Sequence, residues 1–240
     1  MNNFRAKLLQ REVVANETMA FHFERPANFE FKPGQYVDII LINPPEKDDE
    51  GISRSLSLAS APFEKDLMVA TRLRDTAFKR VLRSMPVGSE VEIEGPYGSF
   101  TLHSNTSRAG VMIAGGIGIT PFRSMLQQVA HAPLPHRLVL IYSNRRPEDA
   151  AFLEELENLS SRAPQIKFLG TMTAMDKSER PWGGARGYID STLISNAAKD
   201  LLSPIYYVVG PPAMVSAMHQ TLQGMGIQDD DIRTEEFSGY

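Results

Sequence analysis

Cysteine is missing from the 240-residue chain. Its absence excludes disulfides, thiolate nucleophiles and cysteine-ligated iron–sulfur clusters within these residues, so redox chemistry would need a bound organic group or a partner. Basic residues do not outweigh the acids: 25 stand against 29, for a formal charge of -4, which argues against a nucleic-acid-binding surface. Aromatic residues reach only 8% beside 42% hydrophobic and 22% charged, the balance of a globular chain of one large domain or two. No stretch approaches the about 20 apolar residues of a membrane span. The opening Met1-Asn2-Asn3-Phe4-Arg5 has no apolar leader core, so a cytoplasmic setting without membrane association is expected. No metal site is expected.

Helical periodicity is scarce over residues 4–102. Short strand-like runs at 4–14, 19–23, 36–41, 54–58, 67–73 and 91–94 are separated in part by Lys32-Pro33-Gly34-Gln35, Asn43-Pro44-Pro45 and Pro86-Val87-Gly88-Ser89. That spacing predicts a small antiparallel barrel or sandwich. One helix is expected over 76–85, capped by Asp75 or Thr76 and carrying Phe78, Val81, Leu82 and Met85 on one face. The pattern changes at the polar stretch His103-Ser104-Asn105-Thr106-Ser107-Arg108. Apolar strands at 111–114, 137–143, 166–172 and 205–209 then alternate with helices starting at Pro121 and at 147–159, 191–198 and 213–225, the signature of a doubly wound parallel sheet. The expected division is 1–103 and 104–240.

The richest stretch is Gly115-Gly116-Ile117-Gly118-Ile119-Thr120-Pro121, between a buried strand and an amphipathic helix. Its glycines offer positive φ and an approach free of Cβ atoms, Thr120 can cap, and the helix N-terminus suits a pyrophosphate. A plain glycine turn fits the same residues. Ligands on such sheets bind beyond the carboxyl ends of the strands, where Ser143-Asn144-Arg145-Arg146 and Gly210-Pro211-Pro212-Ala213-Met214 also fall. An arginine at the first of these could meet a ribose 2′-phosphate, or Arg145 and Arg146 could be surface charges. In the first half, Arg54-Ser55-Leu56-Ser57 could clamp a phosphate and hydrogen-bond a heterocycle, or form an exposed edge strand. Thr76 could serve a second phosphate or simply cap. Gly95-Pro96-Tyr97-Gly98-Ser99-Phe100 reads as a tight turn. Arg72, Arg74, Lys79, Arg80 and Arg83 form a basic cluster that could steer an acidic partner, and residues 46–50 read as a solvated acidic loop.

Taken in order, these motifs resemble those of the ferredoxin–NADP reductase superfamily. Phe31-Lys32-Pro33-Gly34-Gln35-Tyr36 is similar to the family's turn into the third strand, Arg54-Ser55-Leu56-Ser57 to RxYS, and residues 95–100 to GPxGxF. Gly115 to Pro121 resembles GGxGxTP, residues 210–214 resemble CGPPxM, and Glu235-Glu236-Phe237 resembles the C-terminal acid and aromatic beside the flavin. The resemblance implies an antiparallel Greek-key β-barrel for FAD followed by a Rossmann-like domain for NADPH or NADH. It implies hydride transfer to the flavin, with electrons passed on to a separate ferredoxin, flavodoxin or other small acceptor. A non-turnover electron-relay or flavin-binding subunit and a free-flavin reductase are the alternatives. Arg54, Ser55, Leu56, Ser57, Thr71, Arg72 and Thr76 are then expected at the flavin, with Ser57 near N5. Gly116, Gly118, Thr120, Ser143, Arg145, Gly210, Pro211 and Met214 are expected at the nucleotide, NADPH being preferred through Arg145. Glu235 is expected to place the nicotinamide or supply a proton, and either Phe237 or Tyr240 to meet the ring. Two residues depart from the family pattern: Leu56 stands for the usual Tyr, and Val209 for a Cys common in relatives.

Overall fold

The computed structural model describes residues 3–132 and 134–237. Its first half forms β1 (Asn3–Ala15), β2 (Thr18–Phe23), β3 (Tyr36–Leu41), β4 (Ser53–Ser57), β5 (Leu67–Arg72) and β6 (Glu90–Tyr97), with α1 (Ala77–Ser84) between the last two. These strands pair antiparallel in the order β4-β3-β6-β1-β2-β5. The sheet curls until its edges touch. Leu58, just past β4, bridges Val69 of β5, and the Ala59 N–H donates to the Met68 carbonyl at 2.7 Å. Strict alternation along β3 turns Val37, Ile39 and Leu41 inward onto Phe21, Phe23 and Ile93. Helix α1 adds Phe78, Val81 and Leu82 to that core, and Thr76 caps it by accepting from the Lys79 N–H at 3.4 Å.

The second half is a parallel sheet in the order β10-β9-β8-β7-β11-β12, from β7 (Gly110–Gly115), β8 (Leu138–Asn144), β9 (Ile166–Met172), β10 (Ala185–Arg186), β11 (Ile205–Gly210) and β12 (Ile232–Glu236). Alternate residues of β7 and β8 face opposite helix layers. Met112, Ala114, Leu140 and Tyr142 pack with α2 (Thr120–His131) and α3 (Leu153–Arg162). Val111, Ile113, Val139 and Ile141 pack with α4 (Ser191–Ala198) and α5 (Pro212–Gly224). The strand order reverses between β7 and β11, where a doubly wound sheet opens its crevice.

Two features differ from expectation. In place of one helix over 147–159 there is a 3-10 turn at Pro147–Asp149, then Phe152 in the left-handed region at φ 59, and α3 begins only at Leu153. A buried Phe152 ring lying under the Arg123 guanidinium, 5.2 Å away, outweighs the local helical pattern. Strands β10 and β12 were not foreseen. They are edge strands, and Ile232-Arg233-Thr234-Glu235-Glu236 is too polar to signal a parallel strand.

The halves share one core, in which Ala59, Met68 and Phe100 of the first meet Phe122, Met125 and Tyr207 of the second. Gly34 sits at this seam with φ +98. A Cβ there would lie 2.0 Å from the Phe100 carbonyl oxygen and 2.4 Å from Met125 Cε, so both conformation and space demand glycine.

Candidate functional site

At the crevice of the parallel sheet, a cavity of about 650 Å³ is lined by Gly115, Gly116, Ser143, Arg145, Pro211 and Met214, among others. The three glycines of the first loop do different jobs. Gly116 has positive φ, at 52. Gly115 and Gly118 instead allow close packing: a Cβ would fall 2.2 Å from Met214 Sδ in the first case and 2.6 Å from the Val209 carbonyl oxygen in the second. Gly118 thus seats the loop on β11. Thr120 is not a cap. It lies inside the helix at φ -57, and its buried hydroxyl donates to the Ile117 carbonyl at 3.1 Å, closing the 3-10 turn Gly116–Ile119 that leads into α2. Arg146 is held by Asp149 through two 2.8 Å bonds, whereas Arg145 is exposed on the cavity wall without an ion-pair partner among the described residues. Among the lining residues that sequence reasoning did not single out are Thr18 of the barrel half and the 86% exposed Tyr188, and the buried Asn144 at the end of β8 has no hydrogen-bond partner for its Nδ2 among the described residues.

On the barrel side, a cavity of about 270 Å³ is lined by Tyr36, Ser55, Leu56, Ser57, Thr71, Arg72, Ile117, Glu235 and Phe237. Arg72 and Ile117 also line the larger cavity, so the barrel strand and the glycine loop face one cleft. A third cavity, about 380 Å³, continues past Leu56 and Thr71 to Arg54, Arg74, Thr76 and Lys79. Ser57 and Thr71 are buried at these walls. The Ser55 hydroxyl is already committed, donating to Asp38 across β3.

The acidic loop is exposed at Glu46, Lys47, Asp49 and Glu50, as a solvated segment should be, but its acids also reach the groups an anion would need, which was not expected. Arg54 Nη2 donates to Glu50 Oε2 at 2.6 Å and Nη1 to the Glu50 carbonyl at 2.9 Å, while the guanidinium lies 5.1 Å over the Phe78 ring. The Ala77 N–H at the start of α1 donates to Asp48 Oδ2 at 2.7 Å. Arg80 is bound by Glu46, at 2.8 Å, and by Asp75. Arg80 is therefore not the free cation of a docking surface. Lys79 faces the third cavity, its ammonium pushed below its usual range by burial and by the neighbouring Arg74 and Arg54. The signal available in the sequence was the match of acids in 46–50 to the arginines at 54 and 80.

Between the two ends lies Glu235. Strand β12 runs parallel to β11 with Val209 opposite Glu235, which places the carboxyl on the barrel-side cavity wall. Its Oε2 is buried without a hydrogen-bond partner among the described residues, and burial pushes its pKa from 4.5 up to about 7. The Phe237 N–H donates to the Gly210 carbonyl at 3.0 Å, holding that ring near the same cavity. Tyr240 lies outside the described residues. An elongated cleft with a cationic end, a buried serine and an orphaned acceptor at its centre, and a glycine loop at a helix start fits a flat heterocycle with an anionic tail meeting a second nucleotide.

Comparison with known proteins agrees with this geometry. A model described as an oxidoreductase FAD-binding domain matches residues 5–102, and one described as an oxidoreductase NAD-binding domain matches residues 112–220. The chain is 30% identical over 239 residues to a glycine betaine monooxygenase reductase subunit of Chromohalobacter salexigens, covering 98% of this chain but 64% of that protein. The chain therefore spans less than two thirds of that relative. It is 28% identical to ferredoxin–NADP reductase B of Sorangium cellulosum, covering 98% and 97% of the two chains. A ferredoxin–NADP+ reductase from Neisseria gonorrhoeae, solved with FAD and NADP bound, superposes with a TM-score of 0.80 at 24% identity over 98% of this chain and 99% of that one. No helix among the described residues is long and apolar enough to cross a membrane.

Proposed function

The chain belongs to the ferredoxin–NADP reductase-like oxidoreductases, an FAD-binding domain followed by an NAD-binding domain, and on that premise we propose that it takes hydride from NADPH or NADH and delivers electrons to a separate small acceptor. When bound, FAD supplies the ability to accept two electrons as hydride and release them singly. The chain's own residues position the partners. Arg54, Lys79 and Arg74 hold the flavin phosphates, with Thr76 fixing the helix start beside them. Ser57 and Thr71 meet the ring, Ser57 near N5, with Leu56 and Phe237 as its apolar walls. The Gly116 loop and Ser143 receive the dinucleotide, Arg145 takes a 2′-phosphate, and Pro211 and Met214 shape the nicotinamide end. Glu235, protonated at neutral pH or below, donates a hydrogen bond across the cleft and can supply a proton.

One observation carries this reading: Ser57 of the barrel and Glu235 of the parallel sheet line the same cavity, which opens at Ile117 onto the glycine-loop crevice. The reductase-subunit names of relatives favour an oxygenase or ferredoxin-type acceptor, with flavodoxin the finer alternative. A cytoplasmic setting suits the reduced nucleotide it needs. The test is spectroscopic. Purified protein is expected to be yellow, and its flavin band to bleach on adding NADPH more readily than NADH. A colourless protein, or a flavin that neither nucleotide reduces, would sink the proposal.

A further inference from the structure

Arg123 is charged, yet only 7% exposed, and it lies on α2, five residues past Gly118. Every edge of its guanidinium is used. Nε donates to Glu155 Oε2 at 2.9 Å, Nη1 to the Ala59 carbonyl at 2.7 Å and to Glu64 Oε2 at 3.0 Å, and Nη2 to Glu64 Oε1 at 3.2 Å and Glu155 Oε1 at 2.6 Å. One face is covered by the Phe152 ring, which is presented by the left-handed backbone noted above. The partners come from both sides of the seam. Glu155 belongs to α3 of the nucleotide half, while Ala59 and Glu64 belong to the barrel segment that leaves β4. The neighbouring Ser124 hydroxyl adds a 2.6 Å bond to the Ser60 carbonyl of that segment.

The covalent paths from this fork to the cleft are short on each side. Ala59 is two residues from Ser57, and α2 begins at the glycine loop. A buried, bidentate arginine of this kind fixes an angle as well as a distance. We propose that Arg123 is a positioning residue, the rivet that sets how far the nucleotide end of the cleft stands from the flavin end. The proposal rests on the functional reading above. It assigns the pair Arg123–Glu64 a role in transfer that the pair Arg123–Glu155, confined to one half, does not have.

That contrast supplies the test. Glu64→Gln and Glu155→Gln each remove one carboxylate charge from the same guanidinium, so a merely stabilising cluster responds alike to both. Stopped-flow reduction at saturating nucleotide is expected to slow about tenfold in Glu64→Gln, with nucleotide dissociation constants within about twofold of the parent. Glu155→Gln is expected to reduce within about twofold of the parent rate, and Arg123→Lys, which keeps the charge but loses the fork, to follow Glu64→Gln. Hydrogen exchange at residues 59–64, read on the same proteins without turnover, is expected to quicken in Glu64→Gln and Arg123→Lys only. Equal slowing by the two glutamine variants, or slowing by neither, overturns the proposal. If neither nucleotide reduces the parent flavin, the functional reading fails, and unchanged exchange in Glu64→Gln then rejects the rivet on its own.

Discussion

The two arginine-bearing ends of the cleft, proposed to take the flavin and nucleotide phosphates, are built on opposite plans. At the barrel end, Arg54, Arg80 and the start of α1 are each already answered by a carboxylate of residues 46–50. At the sheet end, Arg145 stands exposed with no such answer among the described residues, beside a glycine loop. A phosphate arriving at the first end must exchange with an internal competitor. At the second it meets a cation screened only by salt. On the proposed reading, the difference teaches that a resident group and a passing one can be recognised by similar residues: the resident's site would keep its cations folded in place by internal acids, and the passing ligand's site would stay open.

The comparison is broken or sharpened by four substitutions. Arg54→Ala should weaken FAD binding about a hundredfold, the loss of a charge-assisted fork, in a fluorescence titration of flavin-free protein; an unchanged affinity would remove the arginine from the flavin end. Glu235 lies between the ends, and its raised pKa means that the folded chain binds its proton more tightly than the unfolded one. Stability is therefore untouched below about 4.5, declines as pH rises towards about 7, and stays lower above that. Glu235→Gln should abolish this decline and unfold with ~2 kcal/mol more stability at pH 8 than the parent, with little gain at pH 4. Arg145→Ala should raise the KM for NADPH about tenfold and leave that for NADH near its parent value, and equal effects on both nucleotides would end the 2′-phosphate role. The smallest effect should have the opposite sign. Glu50→Gln weakens the internal competitor, so FAD should bind roughly threefold more tightly, and a weaker affinity would show that Glu50 orients Arg54 for the phosphate.

The fold was largely legible because its signals are local and periodic. Alternation marked β3, Thr76 and its apolar stripe marked α1, and fully buried runs rich in Val, Ile and other apolar or aromatic residues marked β7 and β11. What escaped depends on contacts far along the chain. Phe152 breaks a plausible helix because Arg123 lies on its ring, and β12 is a strand because β11 offers an edge. In the candidate site, the glycine loop could be found but the division of labour within it could not, since it is set by Met214 and Val209, roughly 90 to 100 positions away. The acids of 46–50 look solvated in a linear reading because nothing local shows that α1 and β4 converge on them.

The pairing of Val209 with Glu235 and of Gly210 with Glu236 ties the carboxyl to the sheet that carries the nucleotide crevice, while Ser57 travels with the barrel. On the proposed reading, a shear of the two halves would thus widen the gap to the proton donor and the gap to the hydride donor in the same stroke. Proton and hydride delivery would then share a single mechanical coordinate, and a loosened seam should slow both together.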